Sequence, residues 1–281
     1  MKARLKKAKG PNTHSTWWCY IVAVLLILIY LLPIYIMLNL SFRTIQDVGS
    51  KLSLPAMWNF QNYIDVFKSG DLWLGFKNSI VLVVETVVLE IVFSALAAYG
   101  LARSNGKIAE SIRNVNMGIM MIPGVALLVG TYGLMVKFHM TNTLYGLALL
   151  SAAGGIPGTM FMYVNFVVSI PVALDEAAAI DGAGIWQRII HIMIPAIKKL
   201  AGTLLILQII SVFQIMYEPM VLTKGGPDNA SLSLMQLMWQ YAFGGSMNYG
   251  KASAVAVIVT LILLVMTAIY SYFDRKESDW D

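Results

Sequence analysis

Charge is what this chain has least of. Only 12% of its 281 residues are Asp, Glu, Lys or Arg, while 58% are hydrophobic. A soluble domain carries about 25% charged residues, so half that share argues for a membrane as solvent. Cysteine is nearly missing, and the lone Cys19 excludes an intrachain disulfide. No GxxxxGK[ST] sequence that could cradle nucleotide phosphates occurs. No GxSxG nucleophile elbow occurs either, so the chain is not expected to be an enzyme or to hydrolyse ATP itself. His14, His139 and His191 share no ligand spacing with carboxylates or with Cys19, so no metal site and no cofactor is expected. The 17 methionines then read as adaptable packing. The net charge of +5 does not imply nucleic acid, because the basic residues lie in flanks rather than in one stripe.

What fills the chain instead is long apolar runs. A span needs roughly 20 apolar residues, and six stretches qualify: Trp17–Leu40, Ser79–Leu101, Val115–Val136, Leu144–Val168, Leu200–Leu222 and Ala252–Tyr272. The first follows the basic run "MKARLKKAKG". It is too long for a signal-peptide core and shows no small-residue cleavage site, so it reads as a retained anchor. With the N-terminus inside, thirteen Lys and Arg fall on inner segments and seven on outer ones. That asymmetry places both termini in the cytoplasm. The expectation is an all-α, polytopic membrane protein of about six transmembrane helices, one domain over residues 1–281.

Two outer segments are long, Ser41–Asn78 and Thr223–Lys251, and the second contains "LSLMQLMWQYAF", a candidate short helix. "IPG" (Ile122–Gly124) and "GGIPG" (Gly154–Gly158) are expected to break the third and fourth spans. Broken spans often line cavities, because their freed backbone groups need partners other than lipid. A kink that only serves packing is an equal alternative.

One stretch departs from the oily background: "DEAAAIDGAGIWQRIIHIMIP", Asp175–Pro195. Pro171 suits a first helical turn, and Asp175 and Glu176 complement the positive end of the helix that follows. Ala177, Ala178 and Ala179 favour helix and leave a thin surface. Gly182 sits where a left-handed residue would end that helix. Ile185, Ile189 and Ile192 then recur at helical spacing, and Pro195 is expected to restart the chain into the fifth span. The product is a cytoplasmic helix–turn–helix over about 171–196. It can rest on lipid headgroups or dock closely to another protein.

The same residues carry a resemblance. Glu176-Ala177-Ala178, Gly182 and Ile192-Met193-Ile194-Pro195 keep the spacing of the cytoplasmic loop of binding-protein-dependent ABC importer permeases, with Ile194 where that family has Leu. "DEAAAIDGA" followed by Trp186 resembles the carbohydrate-uptake branch. "NFQNY", "AAYGLAR", "GGP" and "YGKASAVAVI" extend the resemblance over most of the chain. It implies a permease subunit with four kinds of company besides membrane lipid. These are a second permease in a heterodimer, a cytoplasmic ATPase dimer, an external solute-binding protein and a sugar substrate. It also implies that Glu176, Ala177, Ala178, Asp181, Gly182 and Pro195 belong to the loop that couples to the ATPase.

Polar residues within spans are the remaining candidates. A carboxylate there costs about 2.5–3.5 kcal/mol on insertion scales. Glu90 lines up with Thr86, Ser94 and Ala97, and is open to two readings: a hydrogen bond to the partner permease, or a place on the pathway. Glu85 is expected to reach the interface. Gln208, Ser211, Gln214 and Glu218, on the fifth span, fall within an arc of about 120° by helical steps. Such a stripe suits a sugar path or polar packing between helices. Tyr217 would point away from it. Two other classes compete with the importer: an ion-coupled secondary transporter of a small solute using Glu90, and an intramembrane enzyme. Internal repeats typical of the former and a nucleophile–base constellation for the latter are both missing from the sequence.

Overall fold

The computed structural model describes residues 16–278 apart from 48, 105 and 246; the basic run 1–10 lies outside the described residues. The described chain is all helical. Its elements are α1 (Thr16–Ser41), α2 (Gln61–Lys68), α3 (Asp71–Ala102), α4 (Lys107–Met120), α5 (Gly124–Lys137), α6 (Leu144–Ser169), α7 (Val172–Ile180), α8 (Ile185–Arg188), α9 (Ile194–Phe213), α10 (Leu234–Phe243) and α11 (Tyr249–Ser278). A π-helical turn, Ile189–Met193, joins α8 to α9. Five helical stretches are long and apolar enough to cross a membrane, or six when α4 and α5 count as one bent span.

The expected break at "IPG" is present: α4 and α5 meet at an angle of 103°. Pro123, extended at φ −60° and ψ 125°, stands just before α5, and the residue preceding a proline avoids helical angles. The expected break at "GGIPG" is absent, because α6 runs straight through Pro157. Side chains hold the carbonyls of that turn: Ser94 Oγ donates to Ile156 O at 3.4 Å and Asn116 Nδ2 to Pro157 O at 2.9 Å. Neighbouring helices thus add polar contacts to the backbone around the proline, a setting in which spans tolerate one.

The fifth span also differs from expectation. It begins earlier, with the elbow helix α8 continuing into α9 as one stretch, Ile185–Phe213. Pro195 therefore does not restart a helix. It lacks the amide that would bond His191 O, and the widened π turn just before it absorbs that defect. The span ends at Phe213 instead of Leu222. Pro219 would collide with the carbonyl of Ile215 in a continuing helix. The chain opens there, and Ser233 Oγ donates to Ile215 O at 3.2 Å while capping α10 through Gln236 N.

Packing is most extensive between α3 and α6, with α9 against both and α1 against α11. Two apolar clusters result. One joins Leu82, Leu147, Phe213, Leu234 and Val255; the other, at the elbow end, joins Tyr99, Tyr163, Val167, Ile189 and Met193. Between them, α3 presents the buried polar residues Thr86, Glu90 and Ser94. At the end away from the elbow, Lys251 Nζ lies 2.9 Å from Asp65, tying α11 to α2. That hydrogen bond, with a second from Gln61, holds the Asp65 carboxyl below its ordinary range.

Candidate functional site

Glu90 is 1% exposed, which makes it the deepest carboxylate among the described residues. Its partners come from this chain, so the sequence reading of a bond reserved for another permease is not needed. Thr159 Oγ1 of α6 donates to Glu90 Oε1. Gln208 Nε2 of α9 donates to the same oxygen at 2.6 Å and stands 3.2 Å from Thr159 Oγ1. Three helices therefore each supply one member of a polar node. The node needs a thin neighbour: a Cβ on Gly155 would lie 2.5 Å from the Glu90 carboxylate. These bonds offset part of what a carboxyl group costs in a span.

The node borders a cavity of about 780 Å³. Its walls include Glu90, Gln208, Ser211, Gln214 and Glu218, the five pathway candidates read from the sequence. They arrive there by a different geometry from the one expected. Gln208 and Ser211 are on α9, Gln214 caps its end, and Glu218 lies beyond the opened segment. Because the helix has stopped, Tyr217 also turns to the cavity, against the expectation that it faces away. The opposite wall is the α4–α5 bend, with Ile119, Met120, Ile122, Leu127, Leu128 and Thr131. Glu85 is separate from this cavity and half-buried.

At the other end stands the elbow. Helix α7 ends in a turn in which Gly182 takes φ +86°, the left-handed conformation read from the sequence. Glu176, Ala177, Asp181, Gly182 and Pro195 are exposed and Ala178 is half-buried. Ile189, Met193 and Ile197, spaced by four, bury against the bundle, while Trp186 is 65% exposed. A shallow hollow of about 300 Å³ lies in the crook, bordered by Ala178, Gly182, Gln187, Arg188 and His191. Asp175 is the exception on α7, only 4% exposed. It accepts from Arg103 Nε at 2.6 Å and from Tyr99 Oη at 3.1 Å. Arg103 also donates to Val167 O at 3.1 Å.

Residues 90–279 match the family described as the binding-protein-dependent transport system inner membrane component. The chain belongs to that family. It is thus a multi-pass membrane protein, the permease of a binding-protein-dependent ABC importer and not a catalytic subunit. Among its relatives is the melibiose/raffinose/stachyose import permease of Bacillus subtilis, 31% identical over 206 residues, 73% of this chain and 75% of that one. A diacetylchitobiose uptake permease of Streptomyces coelicolor is 28% identical over 277 residues, 96% of this chain and 90% of that one. A solved bacterial alginate ABC transporter, in complex with a pentasaccharide-bound periplasmic protein, shares the fold. Its TM-score is 0.72 at 18% identity, covering 93% of this chain and 95% of that one.

Sequence reasoning missed three groups in this permease. Thr159 looked like any threonine in a span, and only its place opposite Glu90 gives it weight. Tyr217 was hidden by the assumption of an unbroken helix. Asp175 stood in the acidic elbow, and "AAYGLAR" was noted as a motif, but nothing in either indicated that Tyr99 and Arg103 reach Asp175.

Proposed function

We propose that this permease is the membrane-spanning subunit of an ATP-driven carbohydrate importer. It pairs with a second, different permease to form the path for a sugar or oligosaccharide. An external binding protein delivers that substrate, and a cytoplasmic ATPase dimer drives the cycle. The observation that carries the reading is the cavity beside Glu90. Its volume falls in the range of small-molecule sites, about 300–1,000 Å³, and amide, hydroxyl and carboxylate groups line one wall. Sugar hydroxyls are bound by such groups, and Tyr217 supplies an aromatic face at the rim. Relatives named for import of melibiose, diacetylchitobiose and maltodextrin support the substrate class.

In this reading the elbow faces the cytoplasm, as do both termini, and 1–281 acts as a single permease domain. Glu176, Ala177, Ala178, Asp181, Gly182 and Pro195 form the surface that docks to the ATPase. The exposed alanines support docking over rest on lipid, since a thin surface permits close approach but buries little apolar area in a membrane. Gln208, Ser211, Gln214 and Glu218, with Glu90 behind them, line the pathway.

The test is uptake into proteoliposomes that hold the purified importer complex, with a panel of labelled oligosaccharides and ATP supplied on the elbow side. Uptake should require ATP and binding protein and resist uncouplers. Failure of every oligosaccharide to be taken up, with ATP and binding protein present, would overturn the carbohydrate reading.

A further inference from the structure

Besides the apolar packing of Ile189 and Met193, the elbow is tied to the bundle by two directional routes, and one of them is not along the chain. The covalent route is the unbroken helical stretch from Ile185 to Phe213, which carries Gln208. The second is a polar contact. Asp175, in the first turn of α7, is bonded by Arg103 and Tyr99, which close the last turn of α3. Arg103 reaches further, to Val167 O near the end of α6. One guanidinium therefore joins the elbow, α3 and α6.

We propose that Asp175, Arg103 and Tyr99 are positioning residues that clamp the elbow to α3 and α6, so that a movement of the elbow reaches the cavity by both routes together. The inference rests on the reading of the elbow as the coupling surface. Three observations carry it. The pair is dry, with side-chain exposures of 14% for Arg103 and 6% for Asp175. A buried ion pair adds little net stability over an apolar replacement, so its presence here argues for a fixed, directional joint. The cation sits at the C-terminal end of α3, where the helix dipole favours it, so the joint is anchored to the axis of that helix. Finally, the two routes converge. Glu90 lies on α3 about 14 Å above Tyr99 at 1.5 Å per residue, bonded to Thr159 of α6 and Gln208 of α9. If the elbow pulled only α9, Gln208 would leave Glu90. With the clamp, all three helices follow and the node stays whole while the cavity wall moves.

The experiment uses the whole importer complex in proteoliposomes, with Cys19 replaced by Ser and a single cysteine at Gln214. The readouts are ATP hydrolysis and the change in labelling of that cysteine by an impermeant maleimide when ATP and vanadate are added. Asp175→Asn keeps the shape but removes the charge. We expect hydrolysis to continue while the ATP-dependent change in labelling shrinks about fivefold or more, the scale of a lost coupling free energy. Tyr99→Phe, which deletes one hydroxyl, should give a smaller loss in the same direction and serves if Asp175→Asn does not assemble. Gly182→Val is the reference for the elbow itself. If it uncouples the complex while Asp175→Asn and Tyr99→Phe switch normally, the clamp is refuted and the elbow reading stands. If Gly182→Val also switches normally, the elbow reading fails. A parallel fall of assembly, hydrolysis and switching in both clamp variants would reduce the contact to a structural one and overturn the proposal.

Discussion

Adjacent glycines in α6 illustrate how position decides sign at the residue scale. A Cβ on Gly154 meets nothing within 4 Å, whereas one on Gly155 would lie 2.5 Å from the Glu90 carboxylate. Gly→Ala in a helix gains about 1 kcal/mol from propensity alone. Overpacking a filled site costs about 1–3 kcal/mol, and this clash is with a carboxylate already held by two donors. Gly154→Ala should therefore leave the thermal midpoint of the purified complex unchanged or raised, and Gly155→Ala should lower it. Equal shifts in the two variants would show that Glu90 is not packed on α6. The carboxylate itself can be probed by a pair of substitutions. In Glu90→Gln the amide oxygen still accepts from Thr159 and Gln208, so assembly and stability should persist. In Glu90→Ala the Thr159 hydroxyl loses its acceptor, at about 1–3 kcal/mol, while Gln208 keeps only its bond to Thr159, and the midpoint should fall clearly below that of Glu90→Gln.

At the scale of elements, the interruptions matter more than the helices. Ser233 is where two of them meet, since its hydroxyl bonds the freed Ile215 carbonyl and also caps α10. Losing a helix cap costs about 0.5–2 kcal/mol, and an unpaired buried carbonyl adds to it. Ser233→Ala should thus destabilise the complex by more than a cap alone, while Ser233→Thr should restore it. Thermal denaturation followed by tryptophan fluorescence would separate the three. The α helices themselves were largely legible in the sequence, because lipid demands long apolar runs and the turn at Gly182 demands a left-handed residue. Prolines were the weak point. Pro123 breaks its span, Pro157 does not, and Pro219 ends one early, yet each is a proline in an apolar run. What separates them is the tertiary setting: α6 runs through Pro157 where Ser94 and Asn116, on neighbouring helices, bond the Ile156 and Pro157 carbonyls. Those partners lie more than 40 residues away in the chain, so no local pattern reveals them. The five pathway candidates are legible as polar residues in apolar runs, where each is costly. The Asp175 clamp was not, because it joins two motifs that each looked complete.

On the scale of the whole molecule, the permease divides into a packed part and a loose part. Helices α3, α6 and α9 share the polar node and two apolar clusters. Association in lipid rests on such packing and hydrogen bonding, since apolar surface gains little from leaving one oily medium for another. The α4–α5 bend is different: Met121, Val125 and Val129 are 84%, 63% and 84% exposed. Apolar side chains exposed in this way are left for lipid or the second permease to cover, so within this chain the bend is the less firmly held wall. A cavity with one firm wall and one loosely held wall changes access most simply by displacement of the loose wall. Single cysteines, in a chain with Cys19 replaced, should report it. At Ser211 and Gln214 on the firm wall, and at Leu128 and Thr131 on the loose one, all should react with water-soluble thiol reagents. Ile206, buried and outside the cavity lining, should stay unreactive. Addition of ATP and binding protein should change the rates on both walls, but reactivity at Met121 and Val125 should change most, because the bend carries the displacement. If Ser211 and Gln214 label no faster than Ile206, the polar wall is packing and the path lies elsewhere. If the walls respond but the bend does not, the moving part is the packed body, driven from the elbow, and α4–α5 is the fixed frame.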